Sequence, residues 1–86
     1  MQIHFHHYFD KRFARLAKKV QEKSVERIQL FNVSPFDELL NNHALTGKYL
    51  GCRSINITGN FRAIYEPASE DAALFIDIGI HSQLYG

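Results

Sequence analysis

The stretch SINITGNFRAIYE at residues 54–66 decides the fold, because it has the pattern of a β-hairpin. Ile55 and Ile57 alternate with small polar residues, which gives the first strand one apolar and one polar face. Gly59 and Asn60 supply a tight turn, and the chain returns with a similar alternation. The stretch therefore predicts two antiparallel strands that bury one face.

Further strands are predicted on both sides of this hairpin in the sequence. Residues 73–79, ALFIDIG, are apolar enough for a central strand buried on both faces. A turn at residues 67–71 joins this strand to the hairpin. Near the start of the chain, residues 2–6 alternate polar side chains with Ile3 and Phe5, the pattern of a short half-buried strand.

Helical periodicity follows the first strand. Apolar residues recur along one stripe of a first helix, and basic residues cover its other faces. The stripe consists of Phe9, Phe13, Leu16 and Val20. We expect a turn at residues 21–23, Ser24 as the N-cap of a second helix, and Pro35 as the barrier to its continuation. The two helices are expected to pack as an antiparallel hairpin.

The predicted order is β-α-α-β-β-β, an α+β architecture with the helical hairpin on one face of a mainly antiparallel sheet. The other face of the sheet is expected to stay open. Residues 35–51 are polar and contain glycine, so we interpret them as a loop with one short turn at residues 36–40. A chain of 86 residues has room for one hydrophobic core, and we interpret residues 1–86 as a single domain.

The composition restricts the class of protein. A single cysteine, Cys52, excludes a disulfide framework and a thiolate metal cluster, which favours a reducing compartment. No segment approaches the roughly 20 consecutive apolar residues of a membrane span. The N-terminus lacks the pattern of an export signal. We therefore expect a cytoplasmic protein with no membrane partner.

Charge is distributed unevenly along the chain. Residues 1–62 hold all ten Lys and Arg residues and five of the nine acids, a net charge of +5, and residues 63–86 hold the other four acids. A basic surface on a small protein favours a polyanionic partner, either nucleic acid or an acidic protein segment. The alternative is an ordinary solvated face of a helix.

Few residues are equipped for catalysis. The sequence has no glycine-rich phosphate loop and no Gly-x-Ser-x-Gly or His-Glu-x-x-His motif, and we predict no cofactor. His43 and His81 are candidates for proton transfer near neutral pH, with surface or packing histidines as the alternative. His4 and His6 share one face of the first strand, but no third ligand is evident, so no metal is predicted.

The loop, the hairpin and the closing segment carry the most specific patterns. They are NHALTGKYLGCRSINI at residues 42–57, GNFRAIY at residues 59–65 and DIGIHSQLYG at residues 77–86. The closing pattern, Gly-x-His-x-x-Leu-aromatic-Gly after a strand, is the most specific. Together these segments resemble the RelE/ParE superfamily of bacterial toxins, and within it the YafQ-like branch, whose members have the same order of helices and strands.

The resemblance implies a toxin of a type II toxin–antitoxin system that cuts messenger RNA in the ribosomal A site. His43 and His81 match the family's loop histidine and C-terminal histidine. Arg62 matches the arginine that relatives place on the scissile phosphate. Tyr85 and Phe61 match aromatic residues of the family, which implies ring faces for an unstacked base.

Two positions depart from the family pattern. Asn60 stands where the branch usually has an aspartate, and Asn56 stands where YafQ itself has a histidine. Neither amide accepts a proton usefully at neutral pH. The expected substrate-binding residues are Lys48, Arg53, Asn56, Asn60, Phe61 and Tyr85.

The implied chemistry is attack of a 2′-hydroxyl on the adjacent phosphorus, which needs a base, an acid and positive charge. We expect His43 as base and His81 as acid, or the reverse. Arg62, with Lys48 or Arg53, is expected as the electrostatic clamp. The alternative role for Arg53 is to hold the loop. The expected partners are the ribosome with its messenger RNA and a small cognate antitoxin of the ribbon-helix-helix, DNA-binding type.

Two other functions stay open at this stage. The first is a weak or inactive relative that binds the antitoxin as a corepressor, which the two asparagines favour. The second is a ParE-like inhibitor of DNA gyrase. The pair of histidines disfavours the second, because an inhibitor of gyrase does not need two imidazoles.

Overall fold

The computed structural model describes residues 1–85, which form an α+β fold around one five-stranded sheet. The strands are β1 (Gln2–Phe5), β2 (His43–Ala44), β3 (Arg53–Asn56), β4 (Phe61–Ser69) and β5 (Ala72–Ile80). The helices are α1 (His7–Ala14), α2 (Lys18–Val33) and α3 (His81–Tyr85), with 3-10 turns at Glu38–Leu40 and Gly47–Tyr49. The strand order is β1-β5-β4-β3-β2, and only the β1–β5 pair is parallel among the described strands. This order confirms the predicted fold class.

Helices α1 and α2 pack against one face of the sheet, which we call the inner face. Phe31 of α2 is fully buried, and its ring centroid lies 4.7 Å from that of Tyr65 and 5.4 Å from that of Phe75. The apolar side chains of the quoted hairpin belong to the same core; they are Ile55, Ile57, Ala63 and Tyr65. The predicted alternation of the hairpin is therefore confirmed.

The break between α1 and α2 lies at residues 15–17, earlier than predicted. Ser24 is inside α2, where its hydroxyl donates to the backbone carbonyl four residues before it at 2.7 Å. The predicted N-cap at Ser24 and the predicted turn at residues 21–23 are therefore wrong. The side-chain amide of Gln21 donates to the carbonyl of Phe13 at 2.9 Å, which satisfies the end of α1. The apolar stripe runs on across the break, so periodicity alone did not reveal it.

The outer face, on the other side of the sheet, is not open as predicted. Leu45, Cys52, Ile64 and Leu84 form a second buried cluster there. Leu84 belongs to α3, so the end of the described chain folds back across the sheet. The 3-10 turn at Glu38–Leu40 confirms the predicted short turn in residues 35–51. The rest of this segment is more regular than predicted, because it contains β2 and the second 3-10 turn. Within residues 1–85, no helix combines the length and the apolar character needed to cross a membrane.

Candidate functional site

The strand register brings candidate residues together on the outer face. Asn56 of β3 lies opposite Arg62 of β4, and Arg62 lies opposite Gly79 of β5. Opposite residues in a sheet share a face, so these positions form one row beside the second cluster. A Cβ atom at Gly79 would lie 2.8 Å from Oε1 of Gln83. The glycine therefore leaves space for the side chain of Gln83 on α3.

A cleft of about 430 Å³ lies at the end of this row, and we call it the Arg62 cleft. Its lining residues are Gly59, Asn60, Arg62, Ile80, His81 and Ser82. The structure thus brings together three of the residues singled out in the sequence: Asn60, Arg62 and His81.

The guanidinium of Arg62 is held in place by the turn before β4. Its Nη1 donates to the carbonyls of Thr58, Gly59 and Phe61 at 2.9, 3.2 and 3.0 Å. Within residues 1–85, no carboxylate forms an ion pair with Arg62. The group is therefore oriented by neutral acceptors, and its charge is not paired with a carboxylate of the described chain.

His81 is exposed at the start of α3, and an aromatic ring packs beside it. Its ring centroid lies 4.7 Å from that of Tyr85. Tyr85 in turn packs edge-on against Tyr49, with centroids 5.6 Å apart. Burial raises the pKa of Tyr85, and the nearby charge of Arg62 opposes that rise. The electrostatic link to Arg62 agrees with the position of Tyr85 near the Arg62 cleft.

The carboxylate of Asp77 is buried beneath these rings and contacts Arg12 and Tyr49. We call these three residues the Asp77 network. Asp77 is 5% exposed, and its Oδ2 accepts from the Tyr49 hydroxyl at 3.0 Å. Its Oδ1 lies 3.5 Å from Nε of Arg12 and accepts from the backbone N–H of Ile78 at 2.8 Å. Burial and the bond to Asp77 raise the pKa of Tyr49 to about 12, so this phenol stays a donor at neutral pH.

His43 faces the same side of the sheet but lies outside the Arg62 cleft. It is aligned with Ser54 of β3, which is aligned with Ile64 of β4. Two strand spacings and two residue steps separate His43 from Arg62, so their Cα atoms are roughly 12 Å apart. Nδ1 of His43 lies 2.8 Å from the carbonyl of Asn41, which only accepts. Nδ1 therefore carries the proton, and Nε2 of the neutral ring is left as an acceptor.

Arg53 and Lys48 do not join Arg62. Nε of Arg53 donates to Oδ1 of Asn42 at 2.7 Å, and its guanidinium lies 5.2 Å from the ring centroid of Phe36. Arg53 is aligned with the inward-facing Tyr65, so it is on the wrong face for a clamp beside Arg62. The position contradicts the expected clamp and favours the alternative, in which Arg53 holds the loop through Asn42. Lys48 is exposed, with its Nζ 5.1 Å from the centroid of Tyr49.

Phe61 and Asn56 also differ from their expected surroundings. The ring of Phe61 packs against the inner core, so it does not face an RNA base beside Arg62. That expectation is corrected, and Tyr85 is the aromatic residue near the cleft. Asn56 is opposite Arg62 in the sheet, but it lines a different cleft, and its Oδ1 is buried without a hydrogen-bond partner.

The histidines near the N-terminus have a local role. Nδ1 of His6 accepts from the backbone N–H of Tyr8 at 3.1 Å, which caps α1. In the described part of the chain, no three His, Cys, Asp or Glu side chains are grouped so that they could hold a metal ion.

Sequence reasoning missed the Asp77 network. Its signal was present, because a single carboxylate inside the apolar run of residues 73–79 needs a donor when it is buried. The partners were not identifiable, since Arg12 and Tyr49 are 65 and 28 positions away and reach Asp77 only in the folded chain.

Comparison with solved structures finds the same fold in bacterial toxins. YafQ in the DinJ-YafQ toxin-antitoxin complex of E. coli is 23% identical, with a TM-score of 0.78 over 99% of this chain and 97% of that one. YafQ from E. coli strain BL21(DE3) is 19% identical, with a TM-score of 0.74 over 99% and 98% of the two chains. A YoeB/ParE toxin from Agrobacterium tumefaciens is 22% identical, with a TM-score of 0.76 over 94% and 99%.

A sequence comparison with protein families gives a match along the whole chain. No curated protein matches the sequence. The family described as bacterial toxin of type II toxin-antitoxin system, YafQ, matches residues 1–86. The chain therefore belongs to the YafQ family of toxins of type II toxin–antitoxin systems.

Proposed function

We propose that this toxin is a ribosome-dependent endoribonuclease that cleaves messenger RNA in the A site and so inhibits translation in the cytoplasm. The observation that carries the proposal is the Arg62 cleft, where an oriented guanidinium and an exposed imidazole line the same space. A cation for the phosphate and a group for proton transfer are the minimum that phosphodiester cleavage needs. No cofactor takes part in the proposed reaction.

The reaction begins with attack of a ribose 2′-oxygen on the adjacent phosphorus. Nε2 of His43 accepts the proton of that hydroxyl, since Nδ1 already donates to a carbonyl. As the new P–O bond forms, the P–O5′ bond breaks, and the imidazolium of His81 donates a proton to O5′. The products are a 2′,3′-cyclic phosphate and a 5′-hydroxyl. Arg62 stabilises the negative charge that grows on the phosphate oxygens.

The separation of His43 and Arg62 fits a substrate bound between them. His43 and Arg62 share the outer face at a Cα distance of roughly 12 Å, so a ribose-phosphate unit has room between their side chains. The free protein does not bring the histidines into contact, and the ribosome is expected to orient the strand. Positioning of this kind contributes several kcal/mol to catalysis. Tyr85 offers a partly exposed ring for an unstacked base.

A cognate antitoxin is the second proposed partner, of the small ribbon-helix-helix type. Because α3 covers part of the outer face, the apolar surface left for it is a groove of about 240 Å³ between β1, α1 and α2. Its apolar lining residues are Phe5, Phe9, Phe13, Val25 and Ile28. A tail with an apolar face for this groove and acidic residues for the basic side of α1 folds on binding.

Primer extension on messenger RNA after induction tests the nuclease proposal. We expect new 5′ ends within codons of translated messages, and translation that stops before replication. Intact messenger RNA with an early fall in DNA synthesis would favour a gyrase inhibitor instead. Intact messenger RNA with unaffected growth would favour the inactive corepressor.

Asn60 allows a converse test of catalysis. Asn60→Asp introduces a carboxylate into the Arg62 cleft, where relatives of the branch carry one. We expect a higher single-turnover rate on programmed ribosomes if a proton acceptor limits this enzyme. Asn60→Ala is the matched control, because it removes the amide without adding a base.

A further inference from the structure

A second cleft lies on the other side of the turn that precedes β4. It has a volume of about 370 Å³ and lies between α2, the first 3-10 turn and the end of β3. Its lining residues are Lys23, Arg27, Leu39, Asn56, Ile57, Thr58 and Gly59. We call it the Arg27 cleft. Gly59 lines both clefts, so the two spaces adjoin across this turn.

The Arg27 cleft has two cationic side chains, and one of them has no carboxylate partner in the described chain. Lys23 and Arg27 are four positions apart on α2, so both side chains lie on the same side of the helix. Lys23 pairs with the exposed Glu26 at 3.3 Å, a solvent-screened contact that contributes little. In the described chain, Arg27 has no ion-pair partner.

Two buried polar atoms of this cleft have no hydrogen-bond partner in the described part of the protein. Nε of Arg27 and Oδ1 of Asn56 are the buried side-chain polar atoms without a hydrogen-bond partner in residues 1–85. Both residues line the Arg27 cleft. Buried polar groups are nearly always satisfied, and here one donor and one acceptor are left unsatisfied at a single place. A ligand that offers both an acceptor and a donor would satisfy them.

We propose that the Arg27 cleft binds a ribose-phosphate unit of the RNA strand that continues from the Arg62 cleft. The phosphate accepts from Arg27 and Lys23, and the ribose 2′-hydroxyl donates to the side-chain amide of Asn56. DNA lacks that hydroxyl, so this contact also distinguishes RNA from DNA. Leu39, 62% exposed, offers an apolar surface to the sugar or base. The inference rests on the proposed function, because it places the reacting RNA in the Arg62 cleft.

Equilibrium binding to ribosomes tests this subsite without relying on cleavage. The probe is a messenger RNA with a 2′-deoxyribose at the attacking position, so that it cannot be cut. Arg27→Gln removes one phosphate contact. The logarithm of the binding constant for the ribosome is therefore expected to fall less steeply with the logarithm of the salt concentration, by about 0.7 in slope. Between 0.1 and 1 M salt, the variant is therefore expected to lose roughly fivefold less affinity than the wild type loses.

Two further variants make the result specific. Lys19→Gln removes the same charge from the same helix outside both clefts and is expected to leave the salt slope unchanged. Lys23→Gln is expected to act like Arg27→Gln, and it replaces that variant if the latter does not fold. A wild-type slope for both cleft variants would overturn the proposal, as would an equal change in Lys19→Gln. Weaker antitoxin binding with unchanged ribosome binding would also overturn it, in favour of a protein ligand.

Failure of the nuclease proposal gives a different result. A wild-type protein that binds the uncleavable complex through Arg27 but leaves ordinary messenger RNA intact supports the subsite and contradicts the nuclease. A protein that cleaves normally, with binding that does not depend on Arg27 or Lys23, contradicts the subsite alone.

Discussion

The inner and outer faces of the sheet are stabilised by different kinds of contact. On the inner face, Phe31 and Phe75 each pack against several other buried rings and aliphatic side chains. On the outer face, α3 depends on a small apolar cluster around Leu84 and on polar contacts near Asp77. Regions with fewer buried contacts open at lower free-energy cost. The comparison teaches that stability is concentrated on one face and the candidate chemistry on the other.

The largest stability effect is expected on the inner face. Phe31→Ala deletes a fully buried ring, and we expect the free energy of unfolding to fall by about 3–5 kcal/mol. Urea unfolding measures the change. Val33→Ala, on the same helix but 84% exposed, is the control. That control is expected to stay within about 0.5 kcal/mol of the wild type. Similar small losses in both variants would contradict the division between the faces.

A smaller effect is expected in the Asp77 network. Tyr49→Phe keeps the ring that packs on Tyr85 but removes the hydrogen bond to Asp77. Hydrogen bonds to charged groups contribute about 1.5–3 kcal/mol, so we expect a loss of that order in urea unfolding. Tyr8→Phe is the matched control, because this exposed phenol also contacts Arg12 but does not reach Asp77. An equal loss in the two variants would indicate that Asp77 does not depend on Tyr49.

The smallest effect is a change in the pH dependence of stability. The pKa of Tyr49 is raised to about 12 in the folded protein. It is about 10 in an unfolded chain. Below that lower value both states hold the proton, and the stabilisation is fully present. As pH rises toward the folded value, the unfolded state releases the proton first, so stability falls. We expect Tyr49→Phe to lose stability less steeply across this alkaline window, and parallel curves would contradict the assignment.

The sequence was sufficient for the parts of the fold that depend on local alternation. The pattern of residues 54–66 predicted the buried side of the hairpin, because β-strand side chains alternate strictly. The helix break was not predictable in this way, since Ser24 and the apolar stripe fit either a helix start or a helix interior. The burial of the outer face was not predictable either, because its cluster joins Leu84 to Leu45, which is distant in sequence.

The candidate site, like the fold, was only partly predictable from local sequence patterns. His81 was singled out as a group for proton transfer and Arg62 through the family resemblance, and the structure brings them into one cleft. Phe61 was assigned to that site through the resemblance and Arg53 as a nearby cation, but both residues lie toward the inner side of the sheet. The alternation of strand positions would have separated Phe61 from Arg62, because neighbouring residues face opposite sides.

Single-turnover cleavage by His81→Ala on programmed ribosomes tests the central claim most directly. Loss of a general acid is expected to lower the rate by roughly 10²–10⁴-fold, with ribosome binding nearly unchanged, because proton donation acts in the transition state. His4→Ala, an exposed histidine on β1, controls for loss of an imidazole and should cleave at the wild-type rate. A rate for His81→Ala within a factor of two of the wild type would contradict the proposed chemistry of the Arg62 cleft.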